Sequence, residues 1–337
     1  MTDQPVLEVV DLAMSFAARG GVGGLFGRPG PAVRALDGVS FSVGRGEVVA
    51  LVGESGSGKT TTANLVVGLL EPTAGEVRLD GAVVAGRSRR ELSAMRRQVQ
   101  MIFQDPYESL DPAMRVEELV AEPIRVHRLA TSGADERARV DAALDQAGLT
   151  PAALYRDRMP FELSGGQRQR VSIAAALAVD PAVLIADEPV SMLDVSIRAE
   201  ILNLLRRLAL ERRMAILMIT HDLATVAAYA DRVAVMYLGR IVEEGPTALV
   251  LREPQHPYTR ALLSVLPLPD PSLRSRRGKA LSGEAPDPAH LPSGCRFHPR
   301  CPVAEDRCRT TDPALVQVGP GHEAACVLVG SGPVQRR

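Results

Sequence analysis

The sequence predicts an α/β fold: a sheet covered by helices on both faces, an antiparallel β layer beside it, and a helical insert. Three observations predict it. Strand-length runs such as Val48–Val52 and Val183–Ala186 are apolar at every position, so neither face of their sheet meets water. Helix-length segments such as Val195–Arg212 alternate with the later runs, the order of a parallel α/β core. The early runs are short and hairpin-like, which adds the antiparallel layer.

In chain order, strands are expected near Leu7–Val10, Val39–Val43, Val48–Val52, Glu76–Leu79, Val99–Phe103, Val183–Ala186, Ala215–Thr220 and Arg232–Tyr237. Thr60–Leu70 is helix-competent. Gly20–Pro31, rich in glycine and proline, reads as a loop. Residues 105–180, with a helix-like stretch at Asp135–Gly148, form the helical insert. After Leu266 the composition shifts to Pro267, Pro269 and Pro271, a basic run Arg274–Arg277, and then all four cysteines. That pattern divides the chain into a domain over 1–265 and a small Cys-rich extension over 266–337.

Composition narrows the partners. The 337 residues carry a net charge of -1, so no global charge recruits nucleic acid or acidic membrane. There is no tryptophan and few other aromatics, which argues against a base-stacking surface. No stretch of about 18 apolar residues occurs, and the first residues lack the basic-then-apolar form of a signal peptide. A cytoplasmic location is expected.

The chemistry begins at Gly53-Glu54-Ser55-Gly56-Ser57-Gly58-Lys59-Thr60, which fits the P-loop pattern G-x-x-x-x-G-K-[ST]. An apolar strand precedes it and a helix follows. Glycines allow backbone N–H groups to curl around phosphate, and the helix N-terminus adds its positive end. Lys59 reaches the β/γ-phosphates, the Thr60 hydroxyl ligates Mg²⁺, and Thr61 opens the helix. Lys59 is one of only two lysines in the chain, so a chance lysine here is a poor explanation. Further on, Val183–Ala186 ends in Asp187 and Glu188. Asp187 is placed to hold Mg²⁺ and Glu188 to polarise a water attacking the γ-phosphate.

Leu163-Ser164-Gly165-Gly166-Gln167-Arg168-Gln169-Arg170 is the decisive segment. Ser164 can cap a helix, and Gly165 and Gly166 allow close approach of a phosphate. With it the chain resembles the ATP-binding cassette (ABC) ATPases, whose signature is LSGGQ. The resemblance covers roughly residues 6–265 and implies a P-loop NTPase ABC cassette with a RecA-like core. It implies that Gln104 is the Q-loop glutamine, touching Mg²⁺ and the attacking water. His221 matches the switch histidine at the γ-phosphate, and Ser191-Met192-Leu193-Asp194 matches the D-loop, with Met192 departing from its usual alanine. Phe16 falls where the family stacks an aromatic on adenine. Ser164, Gly165, Gly166, Gln167 and Asp194 would then act on ATP held by a second ATPase subunit.

His256-Pro257-Tyr258-Thr259 resembles the motif opening the C-terminal extension of peptide-importer ATPases, and the insertion Gly24–Arg28 looks like the second ATPase subunit of that group. The resemblance implies an ATPase coupled to uptake of di- or oligopeptides, peripheral on the cytoplasmic face of the membrane. Its implied partners are two permeases, an extracytoplasmic solute-binding protein and a second ATPase, in a heterodimer rather than a homodimer. Relatives in this group also serve glutathione, nickel chelates and oligosaccharides; an exporter ATPase or a soluble ABC ATPase is the rival reading. Cys295, Cys301, Cys308 and Cys326 can hold a 4Fe-4S cluster or Zn²⁺, or pair as disulfides. Lack of a tight cysteine pair weighs against zinc, and the resemblance points to the cluster.

Overall fold

The computed structural model describes residues 4–17, 32–84, 88–264 and 283–329. The Gly20–Pro31 loop, the Gly24–Arg28 insertion, the prolines at 267–271 and the basic run lie outside them. So does the 265/266 boundary.

Two sheets organise the chain. The first is antiparallel, with order β2-β1-β4-β5: β1 (Leu7–Phe16), β2 (Val33–Val43), β4 (Ala74–Leu79) and β5 (Ala82–Val83). The second has eight strands: β3 (Val48–Val52), β6 (Val99–Ile102), β7 (Val183–Asp187), β8 (Ala215–Thr220), β9 (Arg232–Tyr237), β10 (Arg240–Pro246), β11 (Val316–Gly319) and β12 (His322–Ala324). Its order is β11-β12-β10-β9-β3-β8-β7-β6. β6, β7, β8, β3 and β9 run parallel, and β10, β12 and β11 close the edge antiparallel.

Side chains on a strand alternate between faces, and here both faces are apolar. Val48, Ala50 and Val52 of β3, Leu184 and Ala186 of β7, and Ile216 and Met218 of β8 enter one buried cluster with the helical insert. Val49, Leu51, Val183, Ile185, Leu217 and Ile219 enter the other, against the antiparallel sheet. This explains the continuous apolar runs.

Helix α1 (Lys59–Val66) follows β3, and α2 (Arg89–Gln98) precedes β6. The insert holds α3 (Pro106–Ser109), α4 (Val116–Val126), α5 (Gly133–Gln146) and α6 (Gly165–Leu177). After it come α7 (Val195–Arg212), α8 (Leu223–Tyr229), α9 (Thr247–Arg252) and α10 (Pro257–Ser264). Among the described residues no helix is long and apolar enough to cross a membrane.

Several elements depart from the sequence reading: β2 begins at Val33 rather than near Val39, and β10 was not expected. β1 runs on to Phe16 because an irregularity between Val9 and Leu12, with Asp11 at φ +46°, resets its alternation. The cysteine-rich segment is no detached module, since β12 pairs with β10 and carries β11 at the end of the main sheet.

Candidate functional site

The P-loop spans the turn from β3 into α1. Gly58 sits at φ +107°, and a Cβ there would lie 2.6 Å from Leu36 Cδ2 and 2.7 Å from the Ala35 carbonyl, so glycine alone fits. Lys59 is buried, and its Nζ donates to the carbonyls of Gly53 (2.8 Å) and Glu54 (2.9 Å). Burial pushes the ammonium's pKa down, while the charges of Glu188, Asp187 and Glu54 push it back up. The Glu54 carboxylate is taken by Arg300.

Asp187 closes β7 and is 4% exposed. Burial raises its pKa, a hydrogen bond from Thr60 opposes that, the Glu188 charge adds to it, and Lys59 opposes it. A buried carboxylate touching a hydroxyl is a donor pair suited to a hard divalent cation. Glu188 follows at φ +45°, a left-handed conformation rare for glutamate, with its N–H bound to the Ile219 carbonyl at 2.9 Å. Its two carboxylate oxygens meet residues distant in sequence. Gln104 Nε2 donates to Oε2 at 3.1 Å, and His221 Nδ1 lies 2.9 Å from Oε1. Gln104 leaves from the end of β6 and His221 from the end of β8, so the parallel sheet delivers all three at its C-terminal edge.

Lys59, Gln104, Glu188 and His221 border one open cavity of about 470 Å³, which Ser55, Gly56, Gly58, Thr60 and Thr61 also line; Gly53, Glu54, Ser57 and Asp187 are not among its lining residues. Phe16, 39% exposed, forms part of its wall, as expected of a base-stacking aromatic. Pro288 also lines it; the sequence reading missed it, because nothing local to residue 288 signals a return to the P-loop.

The signature residues stand elsewhere. Ser164 caps α6, accepting the Gln167 N–H at 3.3 Å while Gln167 Oε1 accepts the Ser164 N–H at 3.0 Å. Gly166 lies where a Cβ would be 2.6 Å from Ile197 Cγ2, which presses α6 onto α7. Asp194 precedes α7 without a side-chain cap bond. None of Ser164, Gly165, Gly166, Gln167 or Asp194 borders the P-loop cavity.

Cys295, Cys301, Cys308 and Cys326 line one cavity of about 10 Å³ together with His256 and His298. Burial raises the thiol pKa values of Cys295, Cys301 and Cys326, that of Cys301 to about 11, and the neighbouring cysteines add to it. Yet among the described residues no three His, Cys, Asp or Glu side chains group to hold a metal ion. The cluster read from the spacing is therefore not supported by the donor arrangement. Burial favours the protonated thiol at Cys295, Cys301 and Cys326, which packs as a small apolar group rather than as a metal ligand.

A family model described as "ABC transporter" matches residues 36–191, and one described as "Oligopeptide/dipeptide transporter, C-terminal region" matches residues 242–308. A Brucella ovis protein whose name assigns it to ATP binding in peptide import is 48% identical over 327 residues, 97% of this chain and 99% of its own length. The Escherichia coli (strain K12) oligopeptide transport ATP-binding protein OppF is 43% identical over 325 residues, 96% of each chain. Among solved structures, the ATP-binding cassette MJ0796 bound to ADP and Pi superposes with a TM-score of 0.62 at 30% identity, covering 72% of this chain and 98% of that one. For cbiO1 of Clostridium perfringens the TM-score is 0.63 at 31% identity, covering 74% of this chain and 91% of that one.

Proposed function

From the premise that this chain belongs to the ABC transporter family, we propose that it is the ATP-hydrolysing subunit of an importer for di- and oligopeptides. The observation that carries the reading is the one cavity bordered by Lys59, Thr60, Gln104, Glu188 and His221. The match of residues 242–308 to a peptide-transporter region supports the substrate class.

The loop from Gly53 to Thr61 cradles the phosphates, with Lys59 as its cation. Thr60, Asp187 and Gln104 would hold Mg²⁺, which would supply positive charge to the phosphate oxygens. Glu188 accepts a proton from the attacking water, and Gln104 and His221 fix its two oxygens in place. Phe16 stacks on adenine.

Ser164, Gly165, Gly166, Gln167 and Asp194 lie away from this cavity, so they serve the ATP of a second ATPase subunit, in a heterodimer rather than a homodimer. Two permeases seat at the groove lined by Phe103, Leu110, Leu119 and Val126, about 310 Å³ in volume, and a binding protein on the far side of the membrane delivers the solute. This chain then lies peripherally on the cytoplasmic face.

Removing this subunit should abolish uptake of short peptides, and complementation with Ser164→Arg should restore none of it. Uptake of di-, tri- and oligopeptides, glutathione and nickel sorts the solute class. Normal uptake of all of them, with altered export instead, overturns the importer reading.

The four cysteines remain candidate ligands of a 4Fe-4S cluster because they line one cavity. Binding needs the thiols to lose their protons. Protein prepared without oxygen should then carry about four irons per chain, lost in Cys301→Ser. Protein purified free of iron would remove the assignment.

A further inference from the structure

The P-loop of this chain carries a carboxylate where the incoming ligand is a polyanion. Glu54 is the second residue of the loop, and a residue 246 positions away in sequence neutralises it. Arg300 Nη1 donates to Glu54 Oε2 at 2.7 Å and Nη2 donates to Oε1 at 3.0 Å, the paired geometry that makes an arginine–carboxylate contact directional. The Arg300 side chain is only 7% exposed, against 29% for Glu54. It is seated beside Tyr237, whose hydroxyl lies 3.4 Å away and whose ring centroid is 5.9 Å from the guanidinium carbon.

The same loop residue is held twice more. The Tyr258 hydroxyl accepts the Glu54 N–H at 2.9 Å, and Lys59 Nζ donates to the Glu54 carbonyl. Tyr258 is fully buried at the start of α10, its ring tilted at 53° against that of Tyr237 with centroids 4.6 Å apart. Amide, carbonyl and carboxylate of one P-loop residue thus each have a separate partner, and two of those partners come from the C-terminal region.

We infer that Arg300 and Tyr258 are positioning residues for the P-loop: they neutralise and anchor Glu54 so that the loop receives a nucleoside triphosphate without internal repulsion. This rests on the ATP-site reading. With Arg300 gone, a half-buried carboxylate stands uncompensated beside the phosphates, and the loop regains freedom that binding must remove. Arg300, Tyr258 and Glu54 itself do not border the cavity, so they act on it through the charge and backbone of the loop, which the bound phosphates meet, and the effect is expected on binding.

Equilibrium titration of the full chain with Mg·ATP tests this. Arg300→Met should raise Kd about 10-fold, the low end for loss of a charged hydrogen-bond pair, because the pair is not fully buried. Adding Glu54→Gln to Arg300→Met should bring Kd back to within about 2-fold of the parent, since no charge is left to compensate. Arg300→Lys, which keeps the charge and loses the fork, should fall between, and Tyr258→Phe should raise Kd about 3-fold. In the assembled transporter KM should rise while kcat is kept. Unfolding without nucleotide separates a merely structural loss, which Glu54→Gln would not rescue. Parental affinity in folded Arg300→Met or Arg300→Lys, or no rescue by Glu54→Gln, overturns the inference. If the parent itself fails to bind Mg·ATP, or Lys59→Ala binds as the parent does, the ATP-site reading falls first.

Discussion

The nucleotide cavity and the seat of the C-terminal extension adjoin, with Glu54 of the P-loop bound to Arg300 and Pro288 lining the cavity, yet they are built in opposite ways. In the cavity the two side chains that hold Glu188 are open, Gln104 being exposed and His221 66% exposed at its side chain, while Lys59 and Asp187 beneath them are buried. In the seat the side chains are sealed. Tyr258, Tyr237, Phe297 and His256 are 0–1% exposed, and Phe297 meets the other three rings at 5.3–5.7 Å between centroids. Residues on loops at a sheet edge can be changed with little cost to folding and large cost to chemistry, and a sealed aromatic seam behaves in the reverse way.

The sharpest way to break that contrast is Glu188→Gln. The amide keeps the shape and the contact from Gln104, but cannot take a proton. Turnover of the assembled complex should fall on the order of 10²–10⁴, with ATP binding intact. Steady-state ATPase within a factor of two of the parent would remove Glu188 as the base.

Phe297→Ala tests the other side. Truncating a fully buried ring among three others should cost about 3–5 kcal/mol of folding stability, read from denaturant midpoints at unchanged slope. A loss below about 1 kcal/mol would mean that the seam collapses easily and is not core-like.

A smaller effect is expected for Lys59→Ala. Among the described residues the ammonium is the one charged donor bordering the cavity on the P-loop side, and charged hydrogen bonds contribute about 1.5–3 kcal/mol each. Affinity for Mg·ATP should therefore drop about 10- to 100-fold, with the unfolding midpoint barely moved because Lys59 leaves only loop carbonyls behind. Unchanged affinity and turnover would contradict the P-loop assignment.

The two regions also differ in how far the sequence could reveal them. Motifs of the cavity are local, so Gly53–Thr60 and Asp187–Glu188 could be placed on strand ends from their immediate neighbours, Gln104 and His221 came from the family resemblance, and the parallel sheet gathers them. The seat is made of long-range pairs that no window of sequence contains. Arg300 finds Glu54, Arg296 pairs with Asp37, and His322 Nε2 sits 2.8 Å from Glu243 Oε1, a buried pair 79 residues apart. β11 and β12 escaped for the same reason: four and three residues long, they are too short for an alternation to stand out, and β12 exists because Ala324 and Glu323 pair with Glu243 and Glu244 of β10. Spacing showed that the four cysteines share a region, and they do line one cavity, but it left open what they hold. Metal-ligand geometry depends on directions that spacing does not contain.

A change of pH also separates the regions. His256 is 1% exposed; its Nδ1 accepts the Tyr258 N–H at 3.0 Å, and its backbone N–H donates to Glu243 Oε2 at 2.9 Å. That arrangement needs an unprotonated Nδ1. Burial, helped by the Arg260 charge, pushes its pKa down to about 3. Above the ordinary histidine pKa of about 6.5 both folded and unfolded states leave it neutral, and its contribution to stability is complete. As pH falls from there toward 3 the unfolded chain binds a proton that the folded chain refuses, so stability drops by up to about 1.4 kcal/mol per pH unit. His256→Asn keeps an acceptor for the Tyr258 N–H and removes the titration. Urea unfolding from about pH 7 to about pH 5 should show the parent losing stability faster than this variant by one proton's slope. Parallel slopes would mean that the ring titrates while folded, and the seat would then be as open to water as the cavity it adjoins.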